Sequence, residues 1–114
     1  MKIVRSSWFP PKGYVAITLV CWLIIRNGYQ ITSRLINHEE IHSEQQKEML
    51  ILPFFIWYGL EFLFRLCQYR NWSKAYRNIS FEREAYANQD NIAYLGNRKH
   101  FAWFNYIKMK NYEN

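Results

Sequence analysis

His38-Glu39-Glu40-Ile41-His42 sets two of the chain's three histidines four residues apart, with a carboxylate directly after the first. On a helix that spacing stacks both imidazoles on one face, where they can reach one zinc ion at ~2.0–2.1 Å. Glu39 then projects to one side of the metal, in position to take a proton from a zinc-bound water. Zinc lowers the pKa of that water to about 7, so hydroxide is available at neutral pH. The rival reading is a solvated polar helix face with incidental histidines, and the motif alone leaves it open.

A catalytic zinc takes three protein ligands and keeps a fourth position open. The continuation H-x-x-G-x-x-H is missing, since Ser43, Glu44, Gln45, Gln46, Lys47 and Glu48 follow His42. The remaining histidine, His100, lies in a basic segment after Gly96. A carboxylate on a later helix is the other source, and Phe81 to Asn88 offers Glu82 and Glu84. Glu84 is favoured because small Ala85 and Ala87 beside it allow close approach of two helices, with Glu82 as the alternative. Asn88 lies one turn beyond Glu84 on the same face. Gln45, three residues after His42, is either a brace for the site or helix filler.

The two segments together resemble a gluzincin, a zincin metallopeptidase with H-E-x-x-H on one helix and a Glu ligand on a second, often in the form E-x-x-A-D or E-x-x-S-D. Here the second segment reads Glu84-Ala85-Tyr86-Ala87-Asn88. The resemblance implies that His38, His42 and Glu84 bind Zn2+, that Glu39 is the general base, and that Asn88 steadies a ligating histidine. Asn88 stands where that pattern has aspartate, so it brings no negative charge. Tyr76, Tyr86, His100 and Arg83 are the candidate donors to a tetrahedral oxyanion.

The 114 residues make one domain, 1–114. Half are apolar and the aromatic share is 19%, which argues against disorder. The net charge of +6 suits an anionic surface, but no nucleic-acid motif is present and no nucleic-acid partner is expected. Cys21 and Cys67 sit in apolar runs without C-x-x-C spacing and read as buried free thiols. The first residues, MKIVRSSWFPPKG, lack a signal-peptide core, so a cytoplasmic or membrane-associated protein is expected.

The elements follow from pattern. Residues 1–13 read as a short strand and a turn. The β-branched run from Tyr14 to Ile25 reads as a strand or a hairpin bent near Cys21, closed by Asn27-Gly28. Thr32 or Ser33 caps the helix that carries the histidines. Leu50 to Cys67 is a second apolar helix, kinked or broken at Pro53, with Glu61 and Arg65 paired at i,i+4. It is expected as core, with a membrane interface as the alternative. Asn71 to Ser80 reads as turn-rich, and Ser80 as the cap of a helix Phe81 to Leu95 ended by Gly96-Asn97. The tail from His100 reads as a last short helix. The expected class is α+β: a small zincin-like domain, its N-terminal β-hairpin followed by helices that carry the zinc site.

The expected function is zinc-dependent peptide-bond hydrolysis, with an extended peptide docking along the hairpin edge by strand addition. A zinc-binding module without catalysis and a membrane-peripheral protein are the alternatives.

Overall fold

The chain begins with three strands, β1 (Lys2–Ser6), β2 (Ala16–Leu19) and β3 (Trp22–Arg26), in one sheet of order β1-β3-β2. The computed structural model describes residues 2–11 and 13–108. β2 and β3 form the expected hairpin, antiparallel with Ile17 opposite Ile24, and β1 runs parallel to β3. Leu23 and Ile25, two apart on β3, share one face and are buried, as strand alternation requires. Gly28 follows with φ 96°, a left-handed conformation that glycine adopts without steric cost.

Helix α1 (Ser33–Glu48) is capped by Thr32, whose side chain accepts from the Leu35 N–H at 3.1 Å. Its buried face is unusual: apart from Ile41 it is polar, with Asn37, His38, Glu39, His42, Ser43, Gln45 and Gln46. Buried polar groups need partners, and β2 with Val20 just after it supplies several. Ser43 Oγ donates to the Val20 carbonyl at 2.6 Å. Gln46 donates to the Thr18 carbonyl at 2.8 Å and accepts from the Val20 N–H at 2.6 Å. The Gln46 amide thus lies along the edge of β2 as a neighbouring strand would.

Leu50 and Ile51 take φ 58° and 69° and turn the chain by 112° into α2 (Leu52–Tyr69). The break therefore precedes Pro53, which sits in the first turn of α2, where its missing N–H costs nothing. Phe54 packs with Ile79, Phe81 and Trp103 in the aromatic core. The Glu61–Arg65 pair forms at 3.5 Å and faces inward, and Glu61 also accepts from Ser80 N and Oγ at 2.7 and 2.6 Å. Only Phe54 and Arg65 of α2 are fully buried, so the expectation of a core helix holds for one face alone.

The segment expected as turns contains α3 (Trp72–Arg77), capped by the Asn71 side chain. α4 (Ser80–Asn88) is shorter than the expected helix, and α5 (Tyr94–Asn97) follows after a break. Asn37 explains the break: its amide donates to the carbonyls of Asn88, Gln89 and Asn91 at 3.2, 2.9 and 3.1 Å, taking up acceptors that a helix end leaves open. Ser80 is the first residue of α4 rather than its cap, because its hydroxyl is committed to Glu61. Gly96 lies within α5. A 3-10 helix, Ala102–Tyr106, stands in the tail, and residues 109–114 of the expected last helix lie outside the described residues. Cys21 and Cys67 are exposed free thiols, not buried ones. Cys21 lies just beyond the end of β2, in the link to β3, and Cys67 is on the outer face of α2.

The class is α+β, an N-terminal three-stranded sheet followed by helices. Thr32→Ala and Asn71→Ala each remove one cap, and each is expected to cost about 1 kcal/mol in urea unfolding. The two losses should add, because the caps serve separate helices.

Candidate metal centre

Three donors meet between α1 and α4. His38 Nε2 lies 3.2 Å from Glu82 Oε1, and His42 Nε2 lies 3.2 Å from Glu82 Oε2. The ligand atoms of all three residues fall within 4.8 Å of one another, and all three are buried.

The second ring nitrogens are held from behind. His42 Nδ1 meets Gln45 Oε1 at 2.8 Å. The Gln45 amide cannot be reversed, because its nitrogen donates to the Phe81 carbonyl at 3.1 Å and to Glu84 Oε1 at 2.9 Å. His42 Nδ1 must therefore carry the proton, and Nε2 faces the cluster. His38 Nδ1 meets Gln89 Oε1 at 2.8 Å, the same arrangement from the end of α4. Such outer partners set the tautomer and orientation of ligating histidines.

His42 Nε2 is fully buried without a hydrogen-bond partner among the described residues, despite its 3.2 Å contact with Glu82. Burial lowers the His42 pKa, but the charge of Glu82, with help from Glu39 and Gln45, outweighs it and raises the value to about 9. Burial raises the Glu82 pKa, and the two histidines outweigh it and hold the carboxyl well below the usual range. Tyr58 donates to Glu82 Oε2 at 2.6 Å. Its own pKa is pushed well above 10 by burial and by Glu82, so it stays a donor. The cluster favours a cation: a proton can bridge two of the three donors, a metal ion all three.

Glu39 is buried beside the cluster. Thr18 of β2 donates to its Oε1 at 2.6 Å. Two cavities meet here. One, of about 340 Å³, is mainly apolar and is lined by Ile17, Phe54, Phe55 and Phe62 together with Glu39, His42 and Glu82. The other, of about 500 Å³, is more polar and reaches Glu39 and His38 past Arg34, Ser73 and Gln89. Tyr14, Ala16, Glu39, Trp72 and Tyr76 border both. Tyr14 and Tyr76 pack edge to face at 5.6 Å, and Trp72 donates to the Tyr14 hydroxyl at 2.8 Å.

The structure brings His38, Glu39 and His42 together as the motif implies, but it places Glu82 rather than Glu84 beside the imidazoles. Residues two apart on a helix point in nearly opposite directions. Phe81 and Ala85 of α4 are buried in the core, which turns Glu82 and Tyr86 towards α1, where the Tyr86 ring lies 4.6 Å from that of His38. Glu84 faces the other way and binds Arg98, Tyr94 and Gln45. Asn88 stays on the Glu84 face, where it donates to the Glu84 carbonyl and to the Tyr106 hydroxyl. The bracing expected of it is done by Gln45 and Gln89. Gln89 was legible as the residue seven beyond Glu82, two turns on along one face.

Of the candidate oxyanion donors, Arg83 points away, to Asn78 and the Tyr106 carbonyl. His100 is exposed beside Glu48 at 3.4 Å. Tyr76 lines both cavities and Tyr86 one. No family model, curated protein or solved structure matches the chain. The functional reading therefore rests on the geometry of the site itself.

The two carboxylates are separable by experiment. Glu82→Ala should lose bound metal, measured by atomic absorption, and keep its helical circular dichroism. Glu84→Gln should keep the metal but lower stability by about 1.5–3 kcal/mol, since it removes one of the two carboxylates that Arg98 pairs with and leaves it Glu48 alone. Loss of metal from the Glu84 variant alone would reverse the assignment.

Proposed function

We propose that this chain is a small zinc-dependent peptidase in which His38, His42 and Glu82 hold the metal and Glu39 is the general base. The observation that carries the reading is the meeting of two open cavities at a buried His-His-Glu cluster, with a fourth polar residue, Glu39, on their shared border. A closed structural zinc site would surround the metal with four protein ligands, whereas a catalytic one keeps a position for solvent and substrate. Two imidazoles and one carboxylate make a donor set typical of catalytic zinc. The same kind of set, on two helices, underlies the resemblance to gluzincins, with Glu82 taking the place of Glu84.

When bound, zinc supplies a Lewis acid and lowers the pKa of a coordinated water to about 7. The chain does the rest. Glu39 takes the proton of the attacking water; Thr18 holds its Oε1 and leaves Oε2 to accept. Gln45 and Gln89 keep the ligating imidazoles in register, and Tyr58 fixes the Glu82 carboxylate. Tyr76 faces both cavities, and burial with the Glu82 charge keeps its hydroxyl protonated as a donor. Thr18 turns its carbonyl away from β3, to Gln46. By strand alternation Ala16 turns the same edge outward, beside both cavities, where a peptide backbone can add as a strand. Phe54, Phe55 and Phe62 make the neighbouring cavity a place for an apolar side chain of the substrate.

Casein cleavage that is abolished by a chelator and restored by zinc is the direct test. Glu39→Gln should retain zinc and lose activity by about 10²–10⁴-fold, the usual value of a general base. Stoichiometric zinc with no cleavage of any unfolded protein would make the site a binding module instead. Zinc affinity should also depend on pH. Below its raised pKa of about 9, His42 is protonated, so each zinc bound must expel that proton. Apparent affinity should rise by about tenfold per unit from pH 6.5 to 8. A flat profile in a zinc-indicator competition would show that His42 is not a ligand.

A further inference from the structure

Helix α2 is inverted relative to an ordinary surface helix. Its two charged residues, Glu61 and Arg65, point inward, with side chains 8% and 5% exposed. Its outer face carries Leu52, Ile56, Leu60, Leu63 and Phe64, each between 55% and 66% exposed. Every exposed residue from Ile51 to Cys67 is apolar, glycine or proline. Isolated exposed apolar residues need no explanation, but a contiguous strip along an 18-residue helix marks a contact surface.

The charge around the strip says what it contacts. Five of the eight described acidic residues, Glu39, Glu48, Glu61, Glu82 and Glu84, have buried side chains, so the net charge of +6 is borne by a surface with few anions. Exposed Arg70 ends α2. Exposed Lys108 follows Ile107, whose carbonyl accepts from Arg65 of α2. Exposed Lys99 lies near Phe101, which packs through Trp103 onto Trp57 of α2. A second copy of the chain would set this cationic rim against itself. Anionic lipid phosphates neutralise it while the acyl boundary takes up the apolar strip.

We propose that the outer face of α2 docks on an anionic lipid surface, the helix lying in the interface plane with its cationic rim at the headgroups. No single helix among the described residues is long and apolar enough to cross a membrane. α2 also supplies Phe54, Phe55, Tyr58, Gly59 and Phe62 to the cavity beside the metal cluster, so docking would set that cavity close to the lipid.

The test is sedimentation of the full chain with phosphatidylcholine vesicles, with and without about a quarter phosphatidylglycerol. Wild type should bind the anionic vesicles at least tenfold more strongly than the neutral ones. Leu60→Ser with Phe64→Ser should weaken that binding at least tenfold, and Arg70→Ser severalfold. These positions are exposed, so an unchanged thermal melt and metal content will show that the variants fold. Wild type that stays in the supernatant with both vesicles overturns the proposal, as does a double variant that binds like wild type. A wild-type dimer in velocity sedimentation, dissociated by the double variant and indifferent to vesicles, overturns it in favour of self-association. None of these outcomes depends on peptidase activity.

Discussion

Four glutamates of α1 and α4, Glu39, Glu48, Glu82 and Glu84, have buried side chains, and the rest of the structure is arranged to keep them paired. A buried charge without a partner costs several kcal/mol. Each carboxylate therefore recruits a different part of the chain. Glu82 meets both histidines and Tyr58, Glu39 takes Thr18 from the sheet, and Glu48 and Glu84 share Arg98. These pairings tie β2, α2 and the segment after α5 to the same two helices.

That constraint also divides the labour of the two carboxylates on α4. The Glu84–Arg98 pair is complete in itself, with an Arg98 pKa pushed further up by its two carboxylates against the opposing effect of burial. The Glu82 group is paired differently, with the two histidines at 3.2 Å and Tyr58 at 2.6 Å, and it borders open cavities, so it could hold a metal ion.

The aromatic core explains how so small a chain supports so much buried polarity. Phe54, Phe81 and Trp103 pack on one side of α4 with ring centroids 4.4 and 4.6 Å apart, and their burial is the main apolar contribution behind the site. The same helix α2 that supplies Phe54 leaves its other face uncovered. Its inward Glu61 and Arg65 reach Ser80 and the Ile107 carbonyl, so the polar demand of the interior fixes which face of α2 is left for contact.

The sequence by itself determined the local features. A cap at Thr32 or Ser33 starts the motif helix, a strand or hairpin runs past Cys21, the Glu61–Arg65 pair forms, and the spacing of His38 and His42 brings their rings together, because each depends on residues within one or two turns; the structure chose Thr32 and the hairpin. The α+β class was legible for the same reason. Sequence did not decide between Glu82 and Glu84. Both have suitable chemistry, and the choice came from the rotation of α4, which Phe81, Ala85 and Arg98 set through contacts distant in the chain. Gln45 and Gln89 gained their roles, and Asn88 lost its expected one, through that same rotation. Asn37 shortened α4 from 51 residues away, which no local propensity could report. In sequence the charges of Glu61 and Arg65 mark one face of α2 as the solvent side; packing turned that face inward, because Ser80 and the Ile107 carbonyl take up its polar groups.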